Sequence, residues 1–206
     1  MSDKIALIDY GAGNLRSVEN ALRAADAGAI DVTADPDAVR TADRIVLPGV
    51  GAFAACMGAL SAVDGMIDAM DEAVHGRGVP FLGICVGMQL LADAGHEHGR
   101  HAGLGWIGGD VRLMQPHDPA LKIPHMGWND VRPSRPHPLI VPGEAYFLHS
   151  FAFEVADPAD VLAVTEHGTP VTAAVGRGNI VGVQFHPEKS QAYGLAFLDR
   201  FLAWRP

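Results

Sequence analysis

Cysteine is scarce: the 206-residue chain has two, Cys56 and Cys85. Two thiols cannot build a disulfide framework, and an unpaired reactive thiol suits a reducing compartment. Positive charge is scarce as well. Lys and Arg number 15 against 24 Asp and Glu, a formal net charge of −9 at pH 7. Nucleic-acid binding leaves a basic footprint, so the balance argues against that class of function. No apolar run approaches the ~20 residues of a membrane span. Met1-Ser2-Asp3-Lys4 leads straight into an apolar stretch without a signal-peptide pattern, so a cytoplasmic chain is expected. Internal repeats, low-complexity tracts and linkers are missing too. With 49 % apolar residues, this length suffices for one α/β domain with a real core, and 1–206 reads as a single domain.

The apolar pattern alternates between strand and helix. Ile5–Ile8 reads as a short buried strand. Asn14 is placed to N-cap a helix with Leu15, Val18, Leu22 and Ala25 on one face. Ile45–Leu47 reads as a second strand, ending in Pro48-Gly49-Val50-Gly51. Met66, Ile67, Met70 and Val74 mark a helix that stops near Gly76-Arg77-Gly78. From about Asp110 short β-like runs take over, at Val111–Leu113, Ala145–Leu148, Val161–Val164 and Val171–Val175. A last helix is expected over Tyr193–Trp204, with Leu195, Leu198, Phe201 and Leu202 inward. Gln115–Pro142 is rich in Pro and His and reads as loop. The sum is an α/β fold whose second half adds a mixed sheet.

One segment carries chemistry. Val79-Pro80-Phe81-Leu82 stops at Gly83-Ile84-Cys85-Val86-Gly87, and a helical pattern with Met88, Leu90 and Leu91 follows. This is G-x-C-x-G at a strand-to-helix turn, the cysteine counterpart of the serine nucleophile elbow. A tight turn strains the central residue, and small neighbours let the chain pass close by. A helix N-terminus beside the sulfur would favour thiolate over thiol. A buried structural cysteine in a glycine-rich turn has the same local pattern. Far downstream, the apolar run Ile180–Phe185 ends in His186-Pro187-Glu188-Lys189. A His and a Glu two apart at the C-terminal end of a strand lie where open α/β sheets place their sites. His is the usual base for a Cys nucleophile, and a carboxylate on its far nitrogen fixes the tautomer. Together the two segments favour a Cys85-His186-Glu188 triad.

Two other signals fail. Gly11-Ala12-Gly13 looks like the start of a dinucleotide fingerprint, but the third glycine would fall at Arg16. His96, His98 and His101 are spaced like metal ligands, yet their polar loop offers no Cys or Asp partner, so solvated histidines are expected. No metal and no cofactor is expected. Cys56 reads as ordinary helix packing.

Gly83–Gln89, Pro48–Gly51 and His186-Pro187-Glu188 together resemble the class I (triad) glutamine amidotransferases. Asp9–Val18, Ile123–Asn129, Tyr146–Phe151 and Gln184–Ser190 narrow the resemblance to glutaminase subunits of imidazole glycerol phosphate synthases. These blocks run in order along essentially the whole chain. The resemblance implies an open, mixed, mostly parallel sheet flanked by helices, of flavodoxin-like type. It implies that Cys85 attacks the carboxamide of L-glutamine, that His186 protonates departing ammonia and that Glu188 holds the imidazole. Oxyanion donors are expected at Val86 and at Val50-Gly51. By resemblance Gly51, Gln89, Glu97, Ser150 and Phe151 line the glutamine pocket. Glu97 stands alone where the family often has two acidic residues. The implied partner is a (β/α)₈-barrel cyclase subunit, joined as a heterodimer that channels ammonia in histidine biosynthesis. Asn14, Met126, Trp128 and Lys189 are the implied contact residues. Alternatives are a glutaminase serving another acceptor, a stand-alone cysteine γ-glutamyl hydrolase, or an inactive regulatory subunit.

Overall fold

The computed structural model describes residues 3–118 and 120–206. Its first half alternates β1 (Lys4–Ile8), α1 (Leu15–Ala24), β2 (Ala29–Thr33), α2 (Pro36–Arg40) and β3 (Arg44–Gly49). α3 (Phe53–Ala62) and α4 (Met66–Asp71) follow, and a π-helical stretch continues α4 through Glu72–Gly76. β4 (Phe81–Cys85) then runs directly into α5 (Val86–Gln89). The second half is strand-rich: β5 (Ala94–Gly95), β6 (His101–Ala102), β7 (Gly109–Leu113), β8 (His125–Pro133) and β9 (Gly143–His149). β10 (Phe151–Val155), β11 (Val161–Glu166), β12 (Pro170–Arg177) and β13 (Ile180–Val183) complete it before α6 (Gln191–Ala203). No single helix among the described residues is long and apolar enough to cross a membrane.

A nine-stranded sheet runs in the order β2-β1-β3-β4-β13-β12-β11-β8-β9. The strands from β2 to β13 are parallel, and β12, β11, β8 and β9 extend the sheet antiparallel. A smaller sheet, β10-β7-β5-β6, stands beside it. The parallel strands β1, β3, β4 and β13 are almost wholly buried, as continuous apolar runs covered on both faces must be. β3, β4 and β13 are adjacent and in register, with Gly49 opposite Cys85 and Val183 opposite Ile84. Their C-terminal ends therefore deliver Pro48–Gly51, Cys85 and Gln184–His186 to one place.

Several expectations need correction. Gln115–Pro142 is not all loop, because β8 lies inside it and pairs with both β9 and β11. β2 and α2 were not foreseen. Asn14 stands at the N-cap position of α1, but its side chain makes no capping hydrogen bond. α5 is one turn long; Met88, Leu90 and Leu91 are fully buried, two of them beyond the helix. In α6 the inward residues are Gly194, Phe197, Leu198 and Phe201. Leu195 is turned out to solvent and Leu202 is half-buried, because the chain of α6 packs close on Pro187 at Gly194, where a Cβ would strike the Pro187 carbonyl.

Candidate active site

The elbow forms because its glycines leave room for backbone. A Cβ on Gly83 would lie 2.6 Å from the Gly87 carbonyl oxygen, and one on Gly87 would meet the Leu47 carbonyl of β3. A Cβ on Gly49 would sit 2.7 Å from the Gly87 nitrogen. The elbow and the Pro48–Gly51 segment are thus packed backbone on backbone. Cys85 itself takes φ 55° and ψ −113°, a conformation that costs a non-glycine residue free energy and is held by its surroundings. Its side chain is buried yet borders a cavity.

The His-Pro-Glu-Lys segment is clamped to β9. The His186 N–H donates to the Tyr146 carbonyl at 2.9 Å. Ser190 Oγ donates to the His186 carbonyl at 2.6 Å and accepts from the Tyr146 N–H at 2.9 Å. On this frame His186 Nδ1 faces Glu188 Oε1 at 2.8 Å, with both side chains almost wholly buried. Burial disfavours the charged imidazole, but the Cys85 sulfur and the Glu188 carboxylate outweigh it and push His186 up to about 9. His186 therefore keeps its proton at neutral pH, with the Cys85 sulfur and the Glu188 carboxylate beside it.

A second set of side chains surrounds the sulfur. Gln184, fully buried, places Nε2 3.7 Å from Cys85 Sγ. The Leu148 carbonyl lies 4.0 Å from the same sulfur. Gln89 Nε2 donates to Gln184 Oε1 at 2.9 Å and to the Phe151 carbonyl at 3.1 Å. That carbonyl also accepts from His149 Nδ1 at 2.9 Å. His149 Nε2 must then accept, and it faces His125 Nδ1 at 3.2 Å. His125 Nε2 in turn receives Asn129 Nδ2 at 3.0 Å. Both histidines are held neutral: burial pushes His149 down to about 3 and His125 down to about 4. The strand end opposite is tied twice. Tyr10 Oη donates to the Pro48 carbonyl at 2.7 Å, and the Cys56 thiol donates to the Val50 carbonyl at 3.2 Å.

These groups open onto a cavity of about 330 Å³. Val50, Gly51, Cys85, Val86, Gln89, Glu97, Ser150, Phe151, His186 and Lys189 all line it, so every residue expected at the triad, the oxyanion donors and the glutamine pocket except Glu188 borders one space. Glu188 lies behind His186. Glu97 also accepts from the Phe53 N–H at 3.0 Å, which fixes its carboxylate at the start of α3. Met126, Trp128 and Asn14 do not line the cavity. Met126 and Trp128 project outward from β8, 62 % and 47 % exposed. Trp128 meets the edge of Tyr146, over whose ring Lys189 Nζ sits at 5.9 Å. Asn14 is half-buried at the start of α1.

The histidine loop differs from expectation in one respect. His96 is not simply solvated; its Nε2 lies 2.9 Å from Asp110 on the neighbouring β7. Among the described residues no group of three His, Cys, Asp or Glu is arranged to hold a metal ion. Gln184, His149 and Tyr10 lie within the motifs that carried the resemblance, but sequence reasoning assigned them no role. Each is a polar residue beside an apolar one in a buried strand end, the only signal that could have singled it out.

A family model described as Glutamine amidotransferase class-I matches residues 6–203. Proteins named imidazole glycerol phosphate synthase subunit HisH are similar over nearly the full chain. The one from Zymomonas mobilis is 62 % identical, covering 100 % of this chain and 98 % of its own. The one from Caulobacter vibrioides is 57 % identical, covering 98 % and 99 %. Among solved structures, a glutamine amidotransferase superposes with TM-score 0.73 at 18 % identity, covering 95 % of this chain and 98 % of that one. The glutaminase domain of a Trypanosoma brucei CTPS with bound acivicin gives 0.65 at 17 %, covering 100 % and 96 %. At such identities the likeness is one of fold.

Proposed function

Because the chain belongs to the class I glutamine amidotransferases, we infer that it is the glutaminase subunit of an imidazole glycerol phosphate synthase. Residues 1–206 read as one amidotransferase domain. The observation that carries the site assignment is the convergence of an elbow cysteine, the His186–Glu188 pair and the Gln89–Glu97–Phe151 wall on one cavity.

In this reading the Cys85 sulfur adds to the carboxamide carbon of glutamine, and the carbonyl electrons move onto oxygen. The oxyanion draws on the N–H of Val86 and on the Val50-Gly51 segment. Val86 is the first residue of α5, and its N–H has no partner within the helix. The His186 imidazolium gives its proton to nitrogen, the C–N bond breaks and ammonia leaves. Water, its proton taken by His186, then hydrolyses the γ-glutamyl thioester to glutamate and frees the sulfur. Glu188 holds the imidazole throughout.

Ammonia in open solvent at neutral pH is mostly protonated and lost as a nucleophile. Delivery into a sealed partner avoids this, and the exposed Met126, Trp128 and Lys189, clustered with half-buried Tyr146 beside the cavity, support a docking face there. The partner of this reading is a (β/α)₈-barrel cyclase subunit, bound one to one in the cytoplasm. Cys85→Ala should abolish glutamine hydrolysis while the assembled complex still forms product from ammonium salts at high pH. Glutamine-dependent turnover by that variant would overturn the assignment. The isolated wild-type chain should be slow, and partner plus acceptor should raise its rate. Full speed alone would favour a stand-alone hydrolase.

A further inference from the structure

We propose that Gln184 is a further catalytic residue, whose amide N–H donates to the Cys85 sulfur and steadies it as a thiolate. The proposal rests on Cys85 being the nucleophile. Its starting point is strand register: Val183 lies opposite Ile84, so the next residues, Gln184 and Cys85, leave adjacent parallel strands side by side. Gln184 is fully buried, and a buried primary amide must find partners for two N–H groups and an oxygen.

Which end of that amide faces the sulfur is decided some distance away. The Phe151 backbone carbonyl can only accept. The Gln89 atom 3.1 Å from it is therefore nitrogen, and the same nitrogen lies 2.9 Å from Gln184. Gln184 must present its oxygen to Gln89, which leaves its nitrogen 3.7 Å from Sγ. Reversing Gln184 would set N–H against N–H and bring an oxygen to the thiolate. Both costs fall on a fully buried amide.

The sulfur needs such a donor. The Leu148 carbonyl at 4.0 Å presents negative charge to it, and the four-residue α5 is too short to supply the dipole of a full helix. His186 is the other donor, but it surrenders its proton to the leaving nitrogen. Gln184 keeps its N–H through the whole cycle. It therefore also serves the second step, where the thioester sulfur departs with its electron pair, because a stabilised thiolate leaves faster.

The test is the pH dependence of Cys85 alkylation by iodoacetamide in the full chain, followed by mass spectrometry on the Cys85 peptide so that Cys56 does not contribute. Gln184→Met keeps the length of the side chain and removes the donor. It should move the half-point of alkylation up by roughly one pH unit, and lower kcat by about tenfold with KM within about twofold, the size expected of one hydrogen bond to a charged group. Gln184→Glu keeps the acceptor for Gln89 and puts an oxygen at the sulfur; its shift should be larger. If Gln184→Met does not fold, Gln184→Glu alone decides. A folded variant with the wild-type alkylation profile overturns the proposal. If the wild-type chain alkylated at Cys85 still hydrolyses glutamine, the nucleophile assignment itself falls, whatever Gln184 does.

Discussion

His186 carries two opposed demands, and the balance sets how the site responds to pH. Burial pushes the imidazole toward neutrality, while the sulfur and Glu188 hold its proton up to about 9. In the proposed mechanism leaving ammonia takes that proton, so turnover should decline on the alkaline side near this value. Glu188→Gln keeps the shape and removes the charge. It should shift the alkaline limb to lower pH and reduce kcat by about 10²-fold or more, the range of a lost general acid. A pH–rate profile of glutamine hydrolysis checks both, and an unmoved alkaline limb would separate Glu188 from the proton. The same shift bears on stability. A histidine whose proton is held more tightly in the folded state stabilises the fold fully below its ordinary value of 6.5, and that contribution is lost as pH rises through about 9.

The β8–β9 hairpin shows what the element scale adds. His125 and Asn129 occupy the inward face of β8, and Met126 and Trp128 the outward one. The first half of the strand thus inverts the usual alternation, with polar groups inside and large apolar groups outside, before Val131 turns inward and Asp130 and Arg132 outward, which is why a pattern search reads it as loop. It is stable because the inward polar groups are paired in series, from Asn129 through His125 and His149 to the Phe151 carbonyl. β2 was illegible for a different reason: it is an edge strand, and only Thr33 of it is buried. β3, β4 and β13, buried and apolar apart from Arg44, were legible to within about three residues, and with them the positions of Cys85 and His186. That Ser150, Phe151 and Glu97 would share one cavity was legible only through family resemblance, because they come together across two sheets. The neutral histidine pair makes its own prediction. Protons bind the unfolded histidines near 6.5 but bind His125 and His149 only near 4 and 3. The unfolded state therefore holds more protons between these values, and stability falls as pH drops below 6.5. His167, stacked on His125, and His186, close to His149, add positive charge that works in the same direction. Thermal melts at pH 7 and pH 5 should show a larger loss of Tm for the wild type than for His125→Gln, which can hydrogen-bond but not titrate. Equal losses would remove the pair from the acid sensitivity of the fold.

Seen whole, the molecule places the proposed site at the edge of the proposed docking face. The carboxyl ends of β3, β4 and β13 bring together Gly49, Cys85 and the Gln184–His186 segment, where the proposed chemistry would occur. The turn after β13 carries Lys189 outward, where it lines the cavity mouth and lies over the Tyr146 ring beside Trp128. A lysine in that position could be an ordinary surface charge, resting its stem on an aromatic ring. The proposed docking face gives it a further role. On its N-terminal side Lys189 directly follows Glu188, in the segment that orients His186. A partner carboxylate bound there would tie acceptor-bound partner to triad geometry. An interface ion pair contributes little at a wet rim and a few kcal/mol when desolvated. Lys189→Ala should therefore leave the slow hydrolysis by the isolated chain within about twofold, the typical insensitivity of a surface charge. In the complex it should raise the ratio of ammonia released to product formed and flatten the dependence of affinity on salt, because one charge pair has gone. Both are measured on the reconstituted complex with glutamine as nitrogen donor. Wild-type values for both would make Lys189 a solvated charge and move the docking face elsewhere on the rim.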